Sequence, residues 1–231
     1  MNSRTPTGSE PVSESRRARK ERTRADLLRA ALLLLKDTSF SSLSLREVTR
    51  EAGVVPTAFY RHFTNMEELG LALVDESFRT LRRMIRSARS EASAEHVIRG
   101  SVEILVRHVH ENRLHFRFIA RERFGGVNAL RQAIRSEIRL FSSELATDLT
   151  RFPFLNGWST DDLHMMAGLI VNTMVSTAEE ILDVPIDRPE VEKEVVRRVE
   201  RQLRLVALAV PHWRSAGGAP ISTSGGRTRS Q

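Results

Sequence analysis

Between residues 16 and 213 apolar side chains return at steps of three and four, and no Val/Ile/Thr-rich alternating run is bounded by turns. Steps of three and four trace one face of an α-helix, whereas a half-buried strand needs a step of two. The chain is therefore read as all-α. Its 231 residues suffice for one large or two small units, each with a core of its own. Cysteine is absent, which excludes disulfides, thiol catalysis and cysteine-ligated metal sites.

Punctuation divides the helical stretch. A first helix is expected over 17–37. Ser44-Leu45-Arg46-Glu47 has the form of a capping box, in which the serine hydroxyl accepts a helix N–H and the glutamate reaches back. It starts a short helix that Gly53 stops. Pro56 suits the first position of the next short helix, expected to run to Phe63. Asn65 with Glu68 is a second cap and opens a long helix to about Arg89. Further helices are expected over 94–111, 113–123, 128–151, 160–182 and 189–210. Gly125-Gly126, Pro153 with Asn156-Gly157, and Pro185 with Pro189 separate them. The segments 1–15 and 214–231 carry little to bury and read as disordered tails. Two units remain, 16–64 and 65–213. The start of the chain has no apolar signal-like run, and no run approaches the ~20 residues of a membrane span, so a cytoplasmic location is expected.

Charge is uneven along this plan. The net charge is +7. Residues 1–63 carry 12 basic and 7 acidic groups, while the longer remainder carries 24 and 22. A basic balance admits nucleic acid or an anionic membrane. Arg16, Arg17, Arg19, Lys20, Arg22 and Arg24 cluster within nine residues against Glu21 alone. A charge run of this kind is either a solvated face or a phosphate-binding strip. The helix dipole disfavours cations at a helix N-terminus, which argues for the second.

The stretch LSLREVTREAGVVPTAFYRHF, residues 43–63, has the form of a helix-turn-helix. Leu45, Val48 and Ala52 make one apolar face, Gly53 permits a tight turn, and Phe59 and Phe63 turn inward at i, i+4. Thr57, Tyr60, Arg61 and His62 are left with outward-facing options. In such a motif the second helix enters the major groove and the first crosses the backbone. His62 can instead cap or pack, and Tyr60 can join the core.

At these residues the chain resembles the TetR family of bacterial one-component regulators. The match runs from about Arg24 to Glu76 and includes Phe59-Tyr60-Arg61-His62-Phe63 followed by Glu67-Glu68-Leu69. Many members carry a phosphate-contacting lysine where this chain has Met66, so that single contact is not expected. Ser39-Phe40, SLSLREVTREAG, PTAFYRHF and MEELGLALVDES look like the FabR/DesT branch, repressors of unsaturated fatty-acid synthesis. Phe118 to Gly125, FIARERFG, is similar to that branch as well. Residue chemistry and resemblance together point to DNA contacts at Ser44, Arg46, Thr57, Tyr60, Arg61 and His62, with Arg17, Arg19 and Lys20 adding phosphate or minor-groove contacts. The resemblance implies an N-terminal three-helix DNA-binding domain at 16–64 and a helical ligand-binding and dimerisation domain at 65–213.

Two apolar stripes mark the last long helices. One runs from Met165 and Met166 through Leu169, Ile170 and Met174 to Ile181. The other is Val195, Val199, Leu203, Val206 and Val210. Such stripes mean core in most helices; in the TetR family the last pair forms a four-helix bundle with its copy. A homodimer is also what a palindromic double-stranded DNA operator requires. The FabR/DesT resemblance implies an apolar effector, a long-chain acyl group carried as a thioester on coenzyme A or acyl carrier protein. Phe116, Ile119, Phe124, Phe141, Met165 and Met166 are candidate pocket residues, and Arg121 and Arg123 candidate partners for an acidic headgroup. Solid core and structural ion pairs are the competing readings for these side chains. A drug or other metabolite is the alternative effector, and a ligand-free nucleoid-type binder a further alternative. Neither cofactor nor metal is expected. Nor is an enzyme: the chain has no H-E-x-x-H, G-x-S-x-G, P-loop or G-x-G-x-x-G motif.

Overall fold

The computed structural model describes residues 15–89, 97–185 and 187–215, and among them there is no strand. The helices are α1 (Arg16–Leu34), α2 (Leu45–Glu51), α3 (Pro56–Phe59), α4 (Met66–Arg89), α5 (Val97–Glu111), α6 (Arg113–Glu122), α7 (Asn128–Leu149), α8 (Thr160–Asp183) and α9 (Pro189–Ala209). Short 3-10 turns cover Phe40–Ser42, Pro153–Leu155 and Val210–His212. Every helix expected from the sequence is present. No described helix is long and apolar enough to cross a membrane.

Several boundaries differ from expectation; α7, for one, ends at Leu149 rather than 151. Helix α1 stops at Leu34 rather than Asp37, because the chain turns toward the extended backbone at Ser39. Helix α3 ends at Phe59, and residues 60–63 continue as overlapping turns. In these, Arg61 N–H donates to the Ala58 carbonyl at 3.2 Å and His62 N–H to the Phe59 carbonyl at 2.8 Å. Residues 214 and 215, expected to open a C-terminal tail, are among the described residues. Ser215 Oγ accepts from Ser159 N–H at 2.7 Å and donates to the Asp162 carboxylate. The N-terminal tail, apart from Ser15, and residues 216–231 lie outside the described residues, as does the start expected at 94 for α5.

The two units share their packing. One buried cluster joins Leu27, Leu28 and Leu32 of α1, Val48 of α2, Phe59 of α3 and Leu69, Leu73 and Phe78 of α4 to Phe118 and Ile119 of α6 and Leu130 and Ile134 of α7. Helix α4 is thus a wall of both units, and the core does not break at residue 64. Burial of such side chains contributes about 1.5–3 kcal/mol each.

Three further clusters fill the body. One joins α7, α8 and Val210; the other two join α5 to α8 and α9. They take up the second stripe: Val195, Val199, Leu203 and Val210 are buried within the same chain. That stripe is therefore internal core and not a surface for a copy. Large apolar side chains left exposed on these last two helices include Leu205 and Leu208 on α9, each 70% exposed, and Met165 and Leu169 on α8.

Candidate nucleic-acid interface

Local chemistry builds the helix-turn-helix. Ser44 N–H donates to Glu47 Oε2 at 2.9 Å and Glu47 N–H donates to Ser44 Oγ at 3.3 Å, which closes the capping box. The Ser44 hydroxyl also donates to that carboxylate at 2.6 Å. These bonds, the side-chain one foremost, hold the Glu47 carboxyl below the usual carboxylate range. Gly53 then turns the chain at φ +66°, in the left-handed region that glycine enters without steric cost. No atom would crowd a Cβ there, so the turn and not the space requires glycine. Pro56 begins α3, where its missing N–H is no loss.

Two aromatic anchors set the exposed face of α3 and the turns after it. Phe59 and Phe63 are buried, with ring centroids 5.6 Å apart. Tyr60 stands edge-on to Phe59 and is 62% exposed. Thr57 and Arg61 are exposed too, as is Arg46 on α2. Arg46 and Arg61 make no ion pair or side-chain hydrogen bond among the described residues. An exposed guanidinium without an internal partner is available to a guanine edge or a phosphate.

His62 behaves differently from its neighbours. It is half-buried, and its Nδ1 is buried without a hydrogen-bond partner. Burial first, then the charges of Lys20, Arg24 and Arg61, hold its pKa below the usual histidine value. Both effects favour the neutral ring. The basic strip of α1 lies on this side of the head. Arg16, Arg17, Arg19 and Lys20 are exposed, although Arg17 pairs with Glu21 at 3.0 Å. Arg24 sits 5.3 Å above the Phe63 ring. Arg24 belongs to the basic cluster 16–24 read from the sequence, although Arg17, Arg19 and Lys20 were singled out from it. Its place four residues after Lys20, on the same helix face, was the available signal.

The second cap holds the junction. Glu68 N–H donates to Asn65 Oδ1 at 2.9 Å, and Glu68 Oε2 accepts from Thr64 N–H at 2.6 Å. Thr64 rather than Asn65 is thus the reciprocal partner. Met66, where a lysine is common in similar chains, packs against the shared core.

The eight residues considered for a ligand do not gather at one place. Ile119 and Phe141 belong to the shared core, Phe116 packs with α5 and α8 residues, and Met166 belongs to the α7–α8 cluster. Phe124 is 71% exposed, and Met165 is exposed as well. Arg123 pairs with Glu179 at 2.9 Å and lies 4.5 Å above the Phe124 ring. Arg121 donates to backbone carbonyls near the end of α1, not toward the body interior. None of the eight lines the open groove on α9 or the small hollow between α1 and α2. Apolar bulk and resemblance grouped them along residues 116–166, across three helices; tertiary packing assigns them to different neighbours.

Comparison with known proteins agrees with this architecture. Residues 27–73 match the family model of bacterial regulatory proteins of the TetR family, and residues 94–207 match the tetracyclin repressor-like C-terminal domain. A TetR-family transcriptional regulator from Syntrophomonas wolfei superimposes with a TM-score of 0.65 at 11% identity, covering 81% of this chain and 96% of that one. A transcriptional regulator from Pseudomonas aeruginosa gives 0.59 at 21% identity, with 84% and 95% covered. The fatty acid degradation regulator FadR from Bacillus halodurans gives 0.57 at 13% identity, with 81% and 94% covered. At these identities the structural likeness is one of fold. With both domain models matched in order, the chain belongs to the TetR family: a transcriptional regulator with a helix-turn-helix DNA-binding head and a helical body.

Proposed function

We propose that the chain binds a palindromic operator as a homodimer, represses fatty-acid or lipid genes, and responds to a long-chain acyl thioester. The observation that carries the DNA-binding part is the face made by Thr57, Tyr60 and Arg61. It is exposed and polar, its Thr57 and Arg61 make no side-chain hydrogen bond or ion pair among the described residues, and it stands on two buried phenylalanines that fix its direction.

The dimer reading is supported by the outer face of α8 and α9. Met165, Leu169, Leu205 and Leu208 are exposed there. An open groove of about 660 Å³ runs along α9 past Arg198, Arg201, Leu205 and Leu208. Net charge changes sign along α9, from Glu190, Glu192 and Glu194 with Lys193 to Arg197, Arg198, Arg201 and Arg204 with Glu200. Two copies packed antiparallel bring the acidic half of each against the basic half of the other.

The effector reading rests on the likeness of FIARERFG and the head motifs to the FabR/DesT branch. In it, an acyl chain enters between α6, α7 and α8 past Phe116, Ile119, Phe141 and Met166. Since these side chains lie in separate packed clusters, entry parts them and favours another tilt of α4. Two recognition elements must lie about 34–36 Å apart to reach successive major grooves. A change of tilt alters that spacing, and the ligand acts only through its different affinity for the two states. Fluorescence anisotropy with DNA from the chain's own promoter tests this, with saturated and unsaturated long-chain acyl-CoA added at fixed salt. A shift of specific binding in either direction supports the acyl thioester and gives the sign of the response. Specific binding that no acyl-CoA moves overturns that effector.

A further inference from the structure

The C-terminal end of α6 grips the connection between α1 and α2. Arg121 Nη1 donates to the Leu35 carbonyl at 3.2 Å and to the Thr38 carbonyl at 2.5 Å. The next residue, Glu122, accepts the Phe40 N–H on Oε1 at 2.9 Å. Glu122 is 1% exposed, and its Oε2 is buried without a partner. That oxygen occupies the place of a side chain at residue 125, since a Cβ on Gly125 would lie 2.2 Å from it. On the other side the Phe40 ring fills the place of a side chain on Gly70 of α4, where a Cβ would lie 2.6 Å from Cζ. Gly125 thus makes room for the Glu122 carboxylate that receives this connection, and Gly70 for the Phe40 ring.

We propose that Arg121 and Glu122 are positioning residues that fix the angle of the head, α1–α3, against the body. The apolar part of this junction supplies adhesion, which has little directional preference. Three hydrogen bonds with defined donor and acceptor directions select one orientation from those the apolar contact allows. A side chain serving stability alone has no reason to bury a carboxyl with one oxygen unpartnered, because that burial is costly. The bonds are to backbone groups, so they hold the path of the chain between α1 and α2 whatever side chains it carries. The claim about the angle stands apart from the function proposed above; its consequence for operator binding rests on that function.

The absence of cysteine makes the test direct. Spin labels are placed through Glu51→Cys on α2 and Arg135→Cys on α7, both exposed. The labelled chain is diluted into unlabelled chain, so that dipolar spectroscopy reads distances within one chain. The parent and Glu122→Gln, which keeps a carbonyl acceptor for Phe40, are expected to give one narrow distribution. Arg121→Met and Glu122→Ala are expected to broaden or displace it. Arg121 is exposed, so Arg121→Met removes the donors without opening a cavity and reads the claim even if Glu122→Ala fails to fold. A distribution for Arg121→Met identical to the parent's overturns the proposal. On promoter DNA, Arg121→Met is expected to lose about tenfold in specific affinity while binding to unrelated DNA at the same salt is unchanged. Equal loss on both DNAs contradicts a positioning role. If the parent shows no specific binding, the proposed operator function fails, and the dipolar result still decides the latch.

Discussion

In the head, Arg46 and Arg61 stand exposed with no ion pair. In the body, Arg82 reaches Glu137 at 2.5 Å and Glu144 at 3.4 Å, and Arg113 donates to the Leu182 carbonyl at 2.7 Å. Arg123 of the body likewise holds Glu179. The same residue type therefore has two uses in one chain. These body arginines tie helices together; Arg46 and Arg61 of the head make no ion pair among the described residues, while Arg17 and Arg29 there pair with Glu21 and Asp26. Charge content alone does not reveal a binding face. An exposed charge that the fold leaves unpaired, on a face fixed by buried anchors, does.

The contrast can be broken at its foundation. Phe59→Ala removes a ring that is 0% exposed and should cost about 3–5 kcal/mol of stability, which denaturant unfolding would detect. Loss of helicity confined to the head would show that its face depends on this anchor.

The sharper comparison sets one arginine from each region side by side. Arg82→Ala is expected to lower stability by about 1–3 kcal/mol, since it strands two half-buried carboxylates. Arg61→Ala should leave the melting midpoint in place and weaken operator binding by about 1–3 kcal/mol. A stability loss from Arg61→Ala as large as that from Arg82→Ala would erase the distinction.

Ser44→Ala is a smaller perturbation. It removes the cap of α2 and should cost about 1 kcal/mol, measured by thermal unfolding.

The smallest effect is on pH dependence. Burial is the main cause holding His62 in the head and His115 in the body below the ordinary value of 6.5. As pH falls through 6.5 the unfolded chain takes up protons at both sites and the folded chain does not, so stability decreases on acidification. The decrease levels off below the folded-state values. Urea unfolding at pH 7.5 and 6.0 should show this slope, and His62→Gln with His115→Gln should flatten it. An unchanged slope in the double variant would remove both histidines from the account.

Local signals in the sequence were readable. The Ser44–Glu47 box, the Gly53 turn, Pro56 at the start of α3 and the inward Phe59 and Phe63 each involve residues within about one or two turns of one another. Their partners can be counted along the chain. The tasks of Arg121 and Glu122 were not readable in that way. Their partners lie more than 80 positions away and are backbone groups of Leu35, Thr38 and Phe40, which no residue type announces. The α9 stripe was legible as core, but not against which partner, for a related reason. Periodicity identifies an apolar face but not what covers it, and Val195, Val199 and Leu203 are covered by their own chain while Leu205 and Leu208 are not. His62 lies between these cases. Its exposed option was visible just after α3, whereas its burial beside Lys20 and Arg24 depends on how α1 crosses the head.

The central claim is that the exposed face of the head reads a DNA sequence. Anisotropy titration of the parent at one salt concentration, with promoter DNA and a scrambled duplex of equal length, tests it most directly. The account predicts that promoter DNA binds tighter by roughly 10³-fold or more, and that Arg61→Ala removes much of this preference. Equal affinity for the two duplexes, each falling in the same way with salt, would contradict it.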